Sequence, residues 1–446
     1  MAVGGPVRAV AMLAPALVLA TAGAPVASAH PPGTTQRVSV STGGAAGDDD
    51  SQLAAISGDS RFVAFRSLAS TLVPGDTNGV GDVFVHDRST GVTERVSVDS
   101  RERQAVGDQG GVLDTNFGPP AISADGRYVA FASSATNLVK SDRNQVADMF
   151  VRDRAAGTTE RVSVTGRRTE ANGESAHPAI SPDGRFVAFS SLADNLVAGD
   201  TNFAPDVFLV DRQAGTLERV SVSSTGQEAD NTSESPALSA DGRLVAFSSS
   251  ASNLVPGDGD GASDVFVRDR LAGTTESVSI VAPTTGFGAH SGSPAISADG
   301  RFVAFDSWEP DLVPGDTNNS FDIFVRDRVT GTLERVSVDG AGVQGDDWSL
   351  NPSLSADARF VAFQSFAGNL VAGDGNNDFD IFVHDRLTGT TIRSSVTTAG
   401  TEGGFQLGSL NPSLSADGRV VAFDSEADLV PQDTGFPVDV FVHSEP

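Results

Sequence analysis

The nonapeptide SADGRLVAF, residues 239–247, decides the fold because close copies of it recur along the chain. There are seven copies, and their aspartates are Asp59, Asp125, Asp183, Asp241, Asp299, Asp357 and Asp417. Successive aspartates are separated by 66, 58, 58, 58, 58 and 60 residues. Spacing as regular as this indicates a repeat architecture, in which each repeat is one structural unit.

The repeats are offset at the two ends of the chain. Each copy continues into two further strand-like segments, such as DVFVHD at 82–87 and TERVSV at 93–98, but the seventh stops after DVFVH at 439–443. Its missing segment is found at the other end, as TQRVSV at 35–40. A linear solenoid gains nothing from this offset, whereas a closed ring can use the first strand to complete the last sheet. The sequence therefore predicts an all-β fold over residues 30–446, a seven-bladed β-propeller of four-stranded antiparallel blades in which residues 34–40 form the outer strand of the seventh blade.

Four strands are predicted in each repeat, and in the third they are residues 178–181, 185–189, 206–210 and 217–222. The two middle segments are apolar on both faces, as expected where neighbouring blades cover both sides of a sheet. The first has small residues and is expected nearest the axis, while the fourth alternates and is expected at the outer edge. Asp125-Gly126 predicts a two-residue hairpin turn, and Asp87 to Gly91 predicts an Asx-type turn ending in a glycine with positive φ.

Composition limits the environment and the partners. The 446-residue chain has no cysteine, which excludes disulfides and thiolate chemistry. Its net charge of −28 disfavours nucleic acid and anionic membranes as partners. Residues 1–29 combine Arg8, an apolar run and Ala27-Ser28-Ala29, the pattern of a secretory signal peptide, with a membrane anchor as the alternative. We therefore expect a secreted monomer in the extracellular or periplasmic space, without membrane insertion.

A second repeated pattern, Asp-x-Asn/Asp-x-x-x-Asp, lies between the second and third strands. Its members are Asp76, Asn78, Asp82, Asp142, Asn144, Asp148, Asp200, Asn202, Asp206, Asp258, Asp260, Asp264, Asp316, Asn318, Asp322, Asp374, Asn376 and Asp380. Closely spaced carboxylate and amide oxygens are ligands that Ca²⁺ prefers, so these loops are candidate calcium sites. The alternative is that Asp and Asn cap the turns through backbone hydrogen bonds.

The loops that join one blade to the next are expected on the same face as the acidic loops. They contain His177, His290 and Trp348 beside carboxylates and amides, a combination that either binds a carbohydrate or peptide or seals the tops of the blades. His86, His384 and His443 occupy equivalent third-strand positions and are expected to face solvent. The histidines do not cluster, so the sequence predicts no catalytic and no cofactor-binding residue.

SADGRLVAF followed by DVFVRDR at 264–270 resembles the TolB-type, WD-like β-propeller repeat of secreted bacterial proteins. The resemblance covers residues 34–443 and does not include the α/β domain that precedes the propeller in TolB. It implies the fold more than the function, since such propellers serve as protein-binding platforms, peptidase gating domains and lyase scaffolds. We expect a non-enzymatic binding or scaffold protein that recognises a protein or glycan through its acidic loop face. The alternative is a metal-dependent hydrolase or lyase with a site in the central funnel.

Overall fold

The computed structural model describes Met1 and residues 33–107, 115–259, 261–279, 290–403, 408–431, 433 and 436–445. Residues 2–29 of the predicted signal peptide lie outside the described residues. Pro32–Pro446 form one compact unit. Within the described part, no helix has the length and apolar character that crossing a bilayer requires.

The strands form seven four-stranded antiparallel sheets, each with its first strand at one edge. Blade 1 contains β2 (Ser51–Ile56), β3 (Phe62–Ser67), β4 (Asp82–Asp87) and β5 (Val92–Arg95); blade 2 contains β6 (Ala121–Ile122), β7 (Tyr128–Ser133), β8 (Asp148–Asp153) and β9 (Thr158–Arg161); blade 3 contains β10 (Ser175–Ile180), β11 (Phe186–Ser191), β12 (Asp206–Asp211) and β13 (Thr216–Arg219); blade 4 contains β14 (Ser233–Leu238), β15 (Leu244–Ser249), β16 (Asp264–Asp269) and β17 (Thr274–Ser277). Blade 5 contains β18 (Ser291–Ile296), β19 (Phe302–Ser307), β20 (Asp322–Asp327) and β21 (Leu333–Arg335); blade 6 contains β22 (Ser349–Leu354), β23 (Phe360–Ser365), β24 (Asp380–Asp385) and β25 (Thr390–Arg393); blade 7 contains β26 (Ser409–Leu414), β27 (Val420–Ser425), β28 (Asp439–Ser444) and β1 (Thr34–Arg37). A 3-10 helix, Thr115–Phe117, precedes β6.

Closure of the ring by the N-terminal strand is confirmed. β1 pairs with β28 in antiparallel register, from Thr34 opposite Ser444 to Arg37 opposite Phe441. The seventh blade then meets the first, where the Ser51 amide donates to the Val438 carbonyl at 2.8 Å. Both ends of the described propeller are therefore held within one sheet.

The repeated phenylalanines form the core of each blade. Phe189 of β11 lies opposite Phe208 of β12, and both side chains are fully buried. Their ring centroids are 6.0 Å apart, and the corresponding pairs in the other blades have nearly the same separation. Both rings lie on one face of the sheet and pack in a cluster with Ala130 and Met149 of the preceding blade, which joins the two blades.

Each residue of the Asp-Gly-Arg motif has a separate structural role. Asp125 accepts hydrogen bonds from the Ser123 hydroxyl and the Arg127 amide. Gly126 has φ +70°, and a Cβ there would lie 2.1 Å from the ring of Phe62 in the preceding blade. Arg127 makes a bidentate ion pair with Asp153. β6 ends at Ile122 and β7 begins at Tyr128, so five residues connect the two strands rather than the predicted two-residue turn.

Two predicted strand boundaries are wrong. β10 begins at Ser175, three residues before the predicted start, because a β-bulge carries His177 and Pro178 into the strand. β13 ends at Arg219, and Val222 forms only an isolated bridge with Glu228. Local sequence pattern did not reveal either irregularity.

The prediction that His86, His384 and His443 face solvent is also wrong, because all three are buried. Each imidazole Nδ1 shares a 2.9 Å hydrogen bond with a fourth-strand threonine hydroxyl, and the partners are Thr93, Thr391 and Thr35 respectively. Each threonine hydroxyl in turn donates to a backbone carbonyl in the connection that leaves the preceding blade. That connection covers the third strand, which is why the histidines are shielded from water.

Candidate functional site

The first strands carry the same backbone irregularity around the axis. At the bulge, six equivalent residues have φ between 46° and 58°: Leu53, His177, Ser235, Ser293, Asn351 and Asn411. Left-handed backbone is rare for residues other than glycine and is held only where the surroundings require it. In blade 2 the corresponding segment is Gly118-Pro119, with φ +72° at Gly118. Of the six bulge residues, all except Leu53 line a cavity at the centre of the ring.

A network of hydrogen bonds links the bulges across blades 5, 6, 7 and 1. The carboxylate of Asp306 accepts a hydrogen bond from the backbone amide of Asn351 at 3.0 Å. The side-chain oxygen of Gln364 accepts one from the backbone amide of Asn411 at 2.9 Å. Asp424 accepts from the Leu53 amide at 3.1 Å across the ring closure. In each case a second-strand side chain caps the bulge of the following blade.

The second-strand residues in this network occupy one repeat position, at which the chemistry differs from blade to blade. The residues there are Arg66, Ala132, Ser190, Ser248, Asp306, Gln364 and Asp424. The buried Arg66 donates to the carbonyls of Gly118 and Ala132 in blade 2. The sevenfold repeat is therefore broken around the axis, with acids and amides in blades 5 to 7.

Burial changes the protonation of these groups. It raises the pKa of Asp424 to about 7 and raises the pKa of Asp306 above its ordinary value. On the other side of the axis, burial lowers the pKa of His177, whose Nδ1 lies 3.0 Å from the Ser190 hydroxyl. The axis therefore combines carboxyls with a raised pKa and an imidazole that favours its neutral form.

A cavity of about 320 Å³ lies on the axis within this ring. Side chains at the bulges line it, including His177, Asn351 and Asn411, together with a circle of prolines represented by Pro178 and Pro352. Its walls thus alternate between amide or imidazole groups and the apolar faces of proline rings. A volume of this order suits a small ligand or one unit of a larger one.

A second pocket of about 350 Å³ adjoins the first between blades 4, 5 and 6, and the two share Ser235, Ser293 and Asn351. The sequence-predicted residue His290 lies here, together with Asp306 and Phe321. His177 and His290 therefore line different pockets, joined by a shared wall. The third predicted residue of this face, Trp348, is 51% exposed in the connection that enters blade 6.

Sequence reasoning missed Trp308, which is 51% exposed and whose ring centroid lies 6.0 Å from that of Phe321. Its backbone amide donates to the His290 carbonyl at 3.0 Å, which places it next to the second pocket. A comparison of equivalent repeat positions would have found it, because the residue after the second strand is Leu68, Ser134, Leu192 or Ser250 in the first four blades.

The acidic loops have an arginine at their centre in six blades. Arg161 of blade 2 lies 3.3 Å from Asp142, 2.9 Å from Asp148 and 3.2 Å from Glu170. Equivalent fourth-strand arginines bridge the paired loop acids in five other blades: Arg37, Arg95, Arg219, Arg335 and Arg393. In these six blades the positive charge between the loop carboxylates is therefore that of an arginine side chain.

The side chains of the loop asparagines form hydrogen bonds within the turns that contain them. Asn202 accepts from the Ala204 amide at 3.0 Å and donates to Asp206 at 3.3 Å. The other carboxylate oxygen of Asp206 accepts from the Ser221 hydroxyl, which itself accepts from the Val207 amide. This geometry is that of the turn-capping alternative, and it recurs in the blades with Asn78, Asn144, Asn318 and Asn376.

One described group brings three carboxylates close enough to hold a metal ion. Ligand oxygens of Asp374, Asp380 and Glu402 lie within 4.8 Å of one another, and Arg393 contacts all three. Blade 4 differs from the others, since Ser277 replaces the arginine between Asp258 and Asp264. The remaining predicted ligand of that blade, Asp260, lies outside the described residues.

No family model matches the sequence, and no curated protein does. Among solved structures, an oligogalacturonate lyase from Vibrio parahaemolyticus aligns with a TM-score of 0.56 and 13% identity over 92% of this chain and 93% of that chain. An oligogalacturonate lyase in complex with manganese aligns with a TM-score of 0.54 and 14% identity over the same shares of the two chains.

A further match is TolB from Acinetobacter baumannii, with a TM-score of 0.42 and 16% identity. The alignment covers 75% of this chain and 64% of the TolB chain. At 13 and 14% identity, the two lyase alignments indicate a shared fold alone. The chain is a seven-bladed β-propeller.

Proposed function

We propose that this protein is a secreted, non-enzymatic binding propeller that recognises a glycan or a protein with the face on which its acidic and blade-to-blade loops emerge. The observation that carries the proposal is the break in sevenfold symmetry around the axis. Residues with a structural role, such as those of the Asp-Gly-Arg motif, are the same in nearly every blade. Asp306, Gln364 and Asp424 differ from the residues at the equivalent position of the other four blades. Both pockets adjoin this irregular sector. Binding specificity requires such local asymmetry, while the repeated positions only maintain the ring.

The polar groups at the axis are fixed in position by hydrogen bonds between blades. Asp306, Gln364 and Asp424 each accept a backbone amide from the next blade. Of the described residues that line the axial cavity, His177 is the one histidine, and it is hydrogen bonded to Ser190. A rigid, pre-organised pocket of this kind favours ligand recognition.

A metal-dependent lyase or hydrolase is the rival, and the lyase structures with the same fold give it weight. Electrostatics argues against a polyanionic substrate such as an oligogalacturonate. The chain has a net charge of −28, and the pocket beside the axis is lined by Glu234 and Asp306. A cleft lined by one sign of charge concentrates ligands of the opposite sign and repels ligands of its own sign, while a neutral ligand is not repelled.

The test is to screen the mature protein against immobilised glycans and secreted proteins, and in parallel to follow turnover of polygalacturonate and neutral polysaccharides with and without Mn²⁺. We expect saturable binding without turnover. Metal-dependent product formation that is lost in a His177→Ala variant would establish the enzyme instead.

For the acidic loops, we propose that arginine replaces a metal ion in six blades, so that any calcium stabilisation is confined to blade 4. The guanidinium of Arg219 already lies 2.9 Å from Asp206 and 2.8 Å from Glu228, and a cation at that position would have to displace it. Only in blade 4 does a serine, Ser277, stand in place of the arginine.

Thermal unfolding in excess EDTA and in millimolar Ca²⁺, with Mg²⁺ as the control for charge screening, tests this division. We expect calcium to raise the melting temperature by no more than binding at one site would produce. Ser277→Arg should abolish this increase, and Arg219→Ala should not. A shift that grows as calcium fills several sites, and that survives Ser277→Arg, would restore the calcium interpretation of all the loops.

A further inference from the structure

Among the described residues, three of the five exposed aromatic side chains belong to blades 5 and 6, namely Trp308, Trp348 and Phe366, and the other two are Phe203 in blade 3 and Phe436 in blade 7. The residue after the second strand and the residue before the third strand form a pair in each blade, and the pair is Trp308 with Phe321 in blade 5 and Phe366 with Phe379 in blade 6. The corresponding pairs in the other blades contain no aromatic residue: Leu68 and Gly81, Ser134 and Ala147, Leu192 and Pro205, Ser250 and Ser263, and Glu426 and Val438. The aromatic rings are therefore a local addition to the repeat and not a requirement of the fold.

Trp308 has no packing role that would require an indole. It is 51% exposed, the same fraction as Leu192 at the equivalent position of blade 3. Its half-exposed indole contacts Phe321, which lines the second pocket, and so presents an apolar surface to solvent next to a pocket residue. Exposed aromatic residues of this kind are typical of binding sites rather than of plain surface.

The pocket beside Trp308 is polar and contains no lysine or arginine among the described residues that line it. Its donors and acceptors include His290, Asp306, Glu234 and Asn351, with several serine hydroxyls. Mixed carboxyl, imidazole and amide groups suit a ligand with many hydroxyl groups, because each hydroxyl both donates and accepts. Glu234 in this lining and the net charge of −28 disfavour an anionic ligand.

We propose that this pocket binds one pyranose unit of an uncharged glycan, with the sugar ring stacked on Trp308 and its hydroxyl groups directed toward His290, Asp306 and Asn351. The inference rests on the proposed binding function and specifies its ligand class. The C–H face of a pyranose is apolar and covers an aromatic ring well, while its edge is polar. An indole beside a polar pocket provides both surfaces at once.

The adjoining axial cavity extends the proposal to an oligosaccharide. It shares Ser235, Ser293 and Asn351 with the pocket, so a chain bound at Trp308 continues toward the axis without crossing a blade. The prolines there, such as Pro294 and Pro352, offer further apolar faces to successive sugar units. We therefore expect affinity to rise with chain length over the first few units.

The two tryptophans of the chain, Trp308 and Trp348, are both half exposed in this sector, so intrinsic fluorescence reports on it directly. The probes are hexasaccharides of glucose, mannose and xylose, with hexagalacturonate as the anionic counterpart. A Trp348→Phe variant isolates the emission of Trp308. We expect a saturable change in its emission with at least one uncharged hexasaccharide and none with hexagalacturonate.

Trp308→Ala is expected to weaken that binding about tenfold or more, which corresponds to about 1.4 kcal/mol. Leu192→Ala, at the equivalent position in blade 3, is the matched control and should leave affinity unchanged; equal melting temperatures of the two variants exclude misfolding. Unchanged affinity in Trp308→Ala would overturn the site. Binding of a protein partner or of hexagalacturonate, with no uncharged glycan bound, would overturn the ligand class while leaving the proposed binding function intact.

Discussion

At the scale of single residues, the Asp-Gly-Arg motif recurs because each of its three residues has a separate structural role in the same loop. Asp241 caps the turn, Arg243 pairs with Asp269, and Gly242 faces the blade before it. Gly242 has φ +65°, and a Cβ there would lie 2.3 Å from the Phe186 ring. In blade 6 the equivalent residue is Ala358, which adopts φ 56°. The backbone conformation is thus imposed by the fold even where glycine is absent.

We expect Gly242→Ala to destabilise the protein by about 1–2 kcal/mol through the left-handed backbone alone, with a further cost from contact with Phe186. Urea unfolding monitored by circular dichroism measures the change. Ala358→Gly is the complementary variant and should be neutral or slightly stabilising. Equal midpoints for wild type and Gly242→Ala would show that the close approach of the blades has no energetic consequence.

At the scale of elements, the N-terminal strand has the most distant partner in the chain. β1 pairs with β28, and Arg37 reaches Asp439 at 2.8 Å. Without it, the edge of β28 would expose unpaired backbone groups beside an apolar sheet. Blade 7 would then retain three strands.

Deletion of residues 30–41 is therefore expected to lower the melting temperature and to promote aggregation. Size-exclusion chromatography and thermal unfolding of the truncated protein report the two effects. As a control, Arg219→Ala removes the same loop ion pair from blade 3 without affecting the closure. A truncated protein that elutes as a monomer and melts like the wild type would rule out a contribution of β1 to stability.

The order of the strands could be predicted because it depends on features that the sequence shows directly. These are the spacing of the repeats and the position of TQRVSV at the start of the chain, where it replaces the segment equivalent to TERVSV that the seventh repeat lacks. The bulges at His177 and Asn351 could not be predicted, because a non-glycine residue with positive φ leaves no local pattern. Burial of His86 depends on Val40, 46 positions earlier, whose carbonyl is the acceptor for Thr93. In six blades the arginine that pairs with the acidic loop lies on the fourth strand, and only the shared geometry of the repeat brings it to the carboxylates.

The functional sector was predicted only in part. Trp348 and His290 were singled out from their loops, whereas Trp308 follows a buried strand directly and its local sequence gives no sign of exposure. The hydrogen bonds of Asp306, Asn351 and Asp424 join residues of different blades, so no single repeat reveals them. These residues interrupt the repeat, and comparison of equivalent positions is the signal that reveals them.

At the scale of the whole molecule, the buried carboxyls determine how stability depends on pH. Burial raises the pKa of the loop acids Asp142, Asp200, Asp322 and Asp374 to about 6, and that of Asp424 to about 7. The ordinary value for aspartate is 3.8, so between about pH 4 and pH 7 these five carboxyls hold more protons in the native state than in the unfolded chain. The buried histidines act in the opposite direction, since burial lowers the pKa of His443 to about 4, but fewer groups are involved. Folding is therefore favoured at the acidic end of that window and weakened as the pH rises.

We expect the urea midpoint to fall between pH 4.5 and pH 7.5, and Asp424→Asn to reduce the slope. Below the ordinary pKa of aspartate the trend should reverse, because hydrogen bonds from Arg185, Arg243 and Arg359 lower the pKa of Asp211, Asp269 and Asp385 to about 2, and protonation removes those ion pairs. A midpoint that rises steadily from pH 4.5 to pH 7.5 would contradict this reasoning.

Recognition by one sector of a nearly symmetric ring can be tested by hydrogen–deuterium exchange of the mature protein with and without a saturating uncharged glycan selected in the screen. Residues 290–312 and 346–354 border the pocket at Trp308, whereas residues 186–196 belong to the corresponding part of blade 3 and line neither this pocket nor the axial cavity. We predict slower exchange in the first two segments and no change in the third. Protection spread evenly over the acidic loops of all blades, or centred on blade 3, would contradict a binding site in blades 4 to 6.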